Sequence, residues 1–168
     1  MSDLIVDTGQ RILSHDGHEI RCLIGKNGAV SAETKREGDG ASPLGRWPIR
    51  ALLLRPDRAS PLGGLHLPWR WLRPDDGWSD DIRDPAYNRP VRHPHLYSAE
   101  RLWREDSAYD VILVLGHNDS PPVPDSGSAI FLHCIGAQDF TEGCVAVAKP
   151  DLLQLLPRLA PGDAVDIR

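Results

Sequence analysis

Apolar and polar positions alternate in short runs from early in the chain. Arg11-Ile12-Leu13 and Glu19 to Ile24 are two such runs, and Asp16-Gly17 lies between them. Both central positions of a two-residue hairpin turn need positive φ, which Asp-Gly supplies, so the pair predicts a β-hairpin. Asn27-Gly28 repeats that signal before Ala29-Val30-Ser31, and Ile49 to Leu54 offers the next apolar stretch. Tyr109 to Leu115 and Ser128 to His133 are nearly unbroken apolar runs, the pattern of strands buried on both faces. Cys144-Val145-Ala146-Val147 and Ala164 to Ile167 bring the set to about seven strands. Helical signals are fewer. Ser98 can cap a short helix through Glu105, and Pro150 can start one that runs to Leu156 before Pro157 breaks it. The pattern predicts one mainly-β domain over residues 1–168. Its form is a β-sandwich or curled mixed sheet with one or two short helices and long loops.

Two loops stand out. Lys35 to Gly45 is charged and glycine-rich, but it lacks the Gly-Lys-Ser/Thr ending of a phosphate-binding loop. Residues 56–97 hold seven prolines and three tryptophans, Trp69, Trp71 and Trp78. Long ordered loops are usually functional, and aromatic side chains inside one predict packing onto the body. With 15 Gly and 15 Pro in 168 residues, a long-helix bundle is excluded, while 40% hydrophobic residues suffice for a packed core.

The net charge of −5, without a basic run, argues against a nucleic-acid partner. Three cysteines (Cys22, Cys134, Cys144) do not make a disulfide scaffold. Residues 1–10 lack a basic and apolar signal-peptide pattern, and the longest aliphatic run, Val111 to Leu115, is far too short for a bilayer. The expectation is a soluble cytoplasmic protein with no membrane partner, or a periplasmic one whose leader has been removed.

The sharpest chemical feature is His133 at the end of an apolar strand, followed by Thr141-Glu142-Gly143-Cys144. A cysteine nucleophile needs a base, donors for the developing oxyanion and an exposed position. A strand-end histidine supplies a fixed base. Gly143 allows a tight turn, so that nearby amides can face one carbonyl oxygen. Spacing alone leaves open a small buried cysteine beside an ordinary strand-end histidine.

At these residues the chain resembles the L,D-transpeptidase catalytic-domain (YkuD-like) family. That family's signature is a strand histidine, a loop, then Ser/Thr-x-Gly-Cys and an apolar residue. Here it reads Ile130-Phe131-Leu132-His133 and Thr141-Glu142-Gly143-Cys144-Val145. The segments Pro150 to Leu156 and Pro161 to Ile167 match the family's closing helix and turn, and Lys35 to Gly45 looks like its upstream loop. The resemblance implies a cysteine acyl-enzyme acting on peptidoglycan stem peptides or muropeptides. Cys144 would attack the carbonyl of the third, diamino residue, and the fourth, D-Ala, would leave. His133 would be the base, oriented by a backbone carbonyl, and amides near Thr141, Gly143 and Cys144 would form the oxyanion site. Cys144 Sγ and a ring nitrogen of His133 should then face one groove, close together. For a leaderless member, hydrolysis of free tetrapeptides is the expected outcome, with 3-3 cross-linking or D-amino-acid exchange as the alternative.

Glu142 stands where many members have a second histidine, and Val145 replaces a polar residue after the cysteine. An anion facing the thiol would raise its pKa, so Glu142 is expected to point away. Lys35, Arg36 and Arg89 are candidate partners for a substrate carboxylate. Trp78, Tyr87, Asn88 and Asn118 are candidate pocket residues, with loop anchoring and turn stabilisation as their plainer roles. His93 and His95, or His133 with Cys134 and Cys144, lack the spacing of a metal site, so no metal and no cofactor are expected. Two other classes remain: a non-catalytic module that only binds wall peptides, and a cysteine peptidase of different substrate. Oligomeric state is open.

Overall fold

The structure, a computed structural model, describes residues 2–60 and 63–168. Its main sheet is built from β1 (Leu4–Asp7), β2 (Ile12–His15), β3 (His18–Leu23), β4 (Ala29–Ser31), β5 (Ser42–Leu54) and β6 (Trp69–Trp71). Later come β10 (Val111–Leu115), β11 (Phe131–Cys134), β12 (Val145–Val147) and β13 (Ala164–Ile167). Its order is β10-β11-β12-β3-β2-β1-β13-β5, and β5 also pairs β10, so the sheet curls until its ends meet. The 13-residue β5 makes both joins: Gly45 to Pro48 pair β13, and Ile49 to Leu54 pair β10. A second, antiparallel sheet has the order β8-β7-β9, from Pro90–Arg92, Asp76–Ser79 and Ala99–Arg101. One helix, α1 (Lys149–Leu155), leads into a 3-10 turn at Leu156–Arg158.

The expected curled mixed sheet is what forms. The β2–β3 hairpin turns on Asp16 and Gly17, at φ 49° and 80°. Other expectations need correction. Asn27-Gly28 makes a turn but no hairpin, because β4 pairs β5 in parallel. Ser42 to Gly45, read as loop, belongs to β5, where β4 and β13 supply its hydrogen bonds. Among its described residues, the long loop at 56–97 contains three short strands. The helix expected from Ser98 to Glu105 is absent: Ala99 to Arg101 pairs β7 instead, tertiary pairing overriding a weak local signal. β1, unmarked in the pattern, is a strand because Leu4 and Val6 are fully buried between β2 and β13.

Both faces of the β10–β11 region are covered. Leu52, Leu54, Val111, Leu113, Leu132 and Val145 pack inward with Leu152 and Leu155 of α1. Leu53, Ile112, Val114 and Phe131 face the other way, under the small sheet. Trp78 of β7 closes that second layer, its ring meeting Phe131 edge-on at 5.2 Å. Because side chains alternate along β11, His133 falls on the same face as Phe131. The double cover explains why these strands read as unbroken apolar runs.

Candidate active site

His133 is at the third position of β11, between Ile112 of β10 and Ala146 of β12. Cys144 immediately precedes β12. The parallel pairing of β11 with β12 therefore brings together residues that are separate in the sequence. Both line one cavity of about 510 Å³, and each is over nine-tenths buried as a residue.

The turn that carries the thiol is braced from several sides. Gly143 has φ +140°, and a Cβ there would lie 2.9 Å from the Ala41 carbonyl oxygen, so the position requires glycine. Thr141 Oγ1 accepts from the Gly143 amide at 3.1 Å and donates to the Cys144 carbonyl at 2.6 Å. Ser42 Oγ donates to the same carbonyl at 3.4 Å. The Thr141 amide donates to Ile24 O at 3.1 Å. The amides of Thr141 and Gly143 thus serve the turn itself. Neither of these two amides faces the cavity as a free oxyanion donor here, which leaves the Cys144 amide as the remaining candidate of the three.

The imidazole is oriented by a backbone carbonyl. Cys134 O lies 2.7 Å from His133 Nδ1, and since a carbonyl only accepts, Nδ1 carries the proton. Nε2 is left with the lone pair. Tyr109 meets the imidazole edge-on at 5.1 Å. The thiol donates to Ala129 O at 3.1 Å, and Sγ accepts from the Phe131 amide at 3.3 Å. Its hydrogen-bond partners are these backbone groups rather than the imidazole.

Burial sets the resting charge state. It pushes the Cys144 thiol up to about 12, with the Glu100 carboxylate adding to it and the Phe131 amide and Lys35 opposing it. Burial also lowers His133 to about 4, against the pull of the Cys134 and Ala108 carbonyls. Thiol and imidazole are therefore both neutral at pH 7. For His133 the folded pKa lies below the ordinary 6.5, so the unfolded chain binds the proton first. Stability from this group is full above about 6.5 and lost as pH falls to about 4. The loss is on the order of 3 kcal/mol. Urea unfolding at pH 7 and pH 4.5 should show it, and His133→Gln should remove that part of the pH dependence.

The other candidates divide. Lys35 lines the cavity, buried, with its ammonium on Asp39 and the Arg36 carbonyl. Glu142 is at the rim and turns outward to Lys26, 2.8 Å away, as expected. The rest do not line the cavity. The Arg36 guanidinium binds the Glu33 and Lys35 carbonyls, and Arg89 binds Asp119 O. Tyr87 donates to Glu37. Asn118 holds its own loop through Val123 and Gly127. Asn88 is a buried hub: its Oδ1 accepts from Trp78 Nε1 at 2.9 Å and from the Ala129 amide at 3.1 Å. Its Nδ2 donates to the His117 and Asn118 carbonyls. These residues are anchors behind the site, and Asn88 positions the Ala129 carbonyl that meets the thiol. Asn88→Ala leaves the Trp78 and Ala129 donors unpaired. It should cost on the order of 3 kcal/mol in denaturant unfolding; a cost near zero would remove Asn88 from this role.

The pattern of the chain did not mark Glu100, Arg104 or Tyr109, all of which line the cavity. Tyr109 donates to Glu100, and Arg104 lies over the Tyr109 ring while forking onto Asp106 at 2.7 and 2.9 Å. Among the described residues, no group of His, Cys, Asp and Glu has the arrangement of a metal site.

A thiol and an oriented imidazole in one cavity, one just before β12 and the other on the neighbouring β11 of a curled sheet, have the make-up of a cysteine acyl-transfer centre. The family model for the YkuD, or L,D-transpeptidase, catalytic domain matches residues 2–167, nearly the whole chain. The chain belongs to that family, whose activity is of the L,D-transpeptidase type on peptidoglycan stem peptides. No curated protein and no solved structure matches it significantly.

Proposed function

We propose that the protein is an L,D-carboxypeptidase that removes the terminal D-Ala from stem tetrapeptides through a Cys144 acyl-enzyme. The observation that carries this reading is the shared cavity, with His133 Nδ1 tied to Cys134 O and Nε2 left as the base. On substrate binding the thiol turns from Ala129 O toward Nε2. Sγ attacks the carbonyl of the third residue as Nε2 takes its proton, because a thiol at about 12 does not ionise in advance. The C–N bond to D-Ala breaks, and the imidazolium protonates the leaving amine. Water then attacks the thioester, giving its proton to Nε2, which returns it to Sγ.

Water as the final acceptor agrees with a cavity of about 510 Å³, the size of a single-ligand site. Three free cysteines agree with a reducing compartment, which supports a cytoplasmic role on recycled muropeptides. Incubation with a disaccharide tetrapeptide, with and without a D-amino acid, tests the reading by mass spectrometry. Tripeptide is the expected main product in both cases. Exchanged or 3-3 linked product as the main one would replace it with a transpeptidase, and an unaltered substrate that binds would leave a binding module.

A further inference from the structure

Building on the acyl-transfer reading above, we propose that Glu100 is a specificity-determining residue whose carboxylate receives a primary ammonium group of the peptide substrate. Glu100, on β9, lines the same cavity as Cys144 and His133. One aromatic side chain ties it to the base: Tyr109 donates its hydroxyl to Glu100 Oε1 while its ring meets the His133 ring at 5.1 Å. Carboxylate and imidazole are thereby held in a fixed relation.

Among the described residues, no cation of the protein pairs with Glu100. Arg104 lines the cavity but commits Nε and one terminal nitrogen to Asp106. Lys35 lines it too, and is bound by Asp39. The same wall carries Asp80, whose buried Oδ1 has no hydrogen-bond partner, and Glu37, which accepts from Tyr87. The wall therefore presents more carboxylate than cation, in a place where burial makes charge costly unless it is countered. Neutral amides and hydroxyls satisfy lone pairs but leave the charge. A ligand ammonium satisfies both. In a stem peptide two groups have this chemistry: the free amine of a diamino third residue on the donor, and the attacking amine on an acceptor before it loses its proton.

Two measurements separate these sources, each with the native Glu100 and with Glu100→Gln, which keeps an acceptor for Tyr109. The first uses the Cys144→Ala protein, in which nothing turns over. It compares the binding of a stem tetrapeptide with that of its twin acetylated on the third-residue amine. The donor source predicts about tenfold weaker binding of the twin, and loss of that difference in Glu100→Gln. Because both peptides meet the same protein, their ratio is insensitive to a general loss of folded material. The second follows the ratio of aminolysis to hydrolysis by the Cys144 enzyme with added D-amino acid. The acceptor source predicts that Glu100→Gln lowers this ratio about tenfold. If the twins bind alike and the ratio does not move, the assignment is overturned. Absence of turnover by the native protein instead overturns the acyl-transfer reading, and the binding comparison then decides Glu100 alone.

Discussion

A Cys144→Ala protein should form no covalent adduct with a carbapenem and release no D-Ala from tetrapeptide, while remaining folded. Covalent acyl transfer needs an atom that attacks and then leaves, and no other thiol can take its place. Cys22 and Cys134 belong to the packed inner layer, where burial pushes them up to about 11 and about 12. The expected loss is thus complete rather than partial. Stability should change little by comparison. Removing the sulfur leaves two buried backbone groups, Ala129 O and the Phe131 amide, without that partner, for on the order of 2 kcal/mol. Intact-mass spectrometry and urea unfolding on the same sample check both halves. An adduct that persists in Cys144→Ala, or full activity in Cys144→Ser, would place the nucleophile elsewhere.

His133→Gln should lower kcat by roughly 10²–10⁴-fold, the usual contribution of general acid–base transfer. It should also change the shape of the pH profile. The base works only when unprotonated, so activity should be level around neutrality and fall as pH drops toward about 4. The thiol stays protonated up to about 12, so no decline is expected through the ordinary thiol range near 9. A preformed thiolate–imidazolium pair behaves differently, since its rate rises as the thiol ionises and falls as the imidazolium loses its proton. Profiles of kcat/KM for both proteins distinguish the cases. An acid limb that survives in His133→Gln would show that another group supplies it.

The reacting pair was legible in the sequence because its signal is local. Thr141 to Cys144 forms one braced turn, and His133 ends a run whose burial on both faces is visible as unbroken apolar residues. The strands of the sheet were legible for the same reason, but the choice between a sandwich and a curled sheet was not, because the curl is closed by the long-range pairing of β5 with β10. The cavity wall was not. Glu100 and Tyr109 reach the site only through the pairing of β9 with β7 and the packing of that small sheet over Phe131. Neither event leaves a periodic mark in Ala99-Glu100-Arg101, which reads as helix when taken alone. Asn88 and Trp78 read as candidate pocket residues, but composition cannot separate a pocket wall from the anchor behind it. Only the hydrogen bonds of Asn88 to Trp78 and Ala129 make that distinction.

The pairing of β1 with β13 has a consequence for how the sheet assembles. Leu4 to Val6 lie against Val165 to Ile167, and β13 is also the strand that joins β1 to β5. Without β13 between them, β1 and β5 would each present an unpaired hydrogen-bonding edge. Residues 164–167 therefore act as a fastener, joining through contacts of long sequence separation two parts of the sheet that lie far apart in the chain.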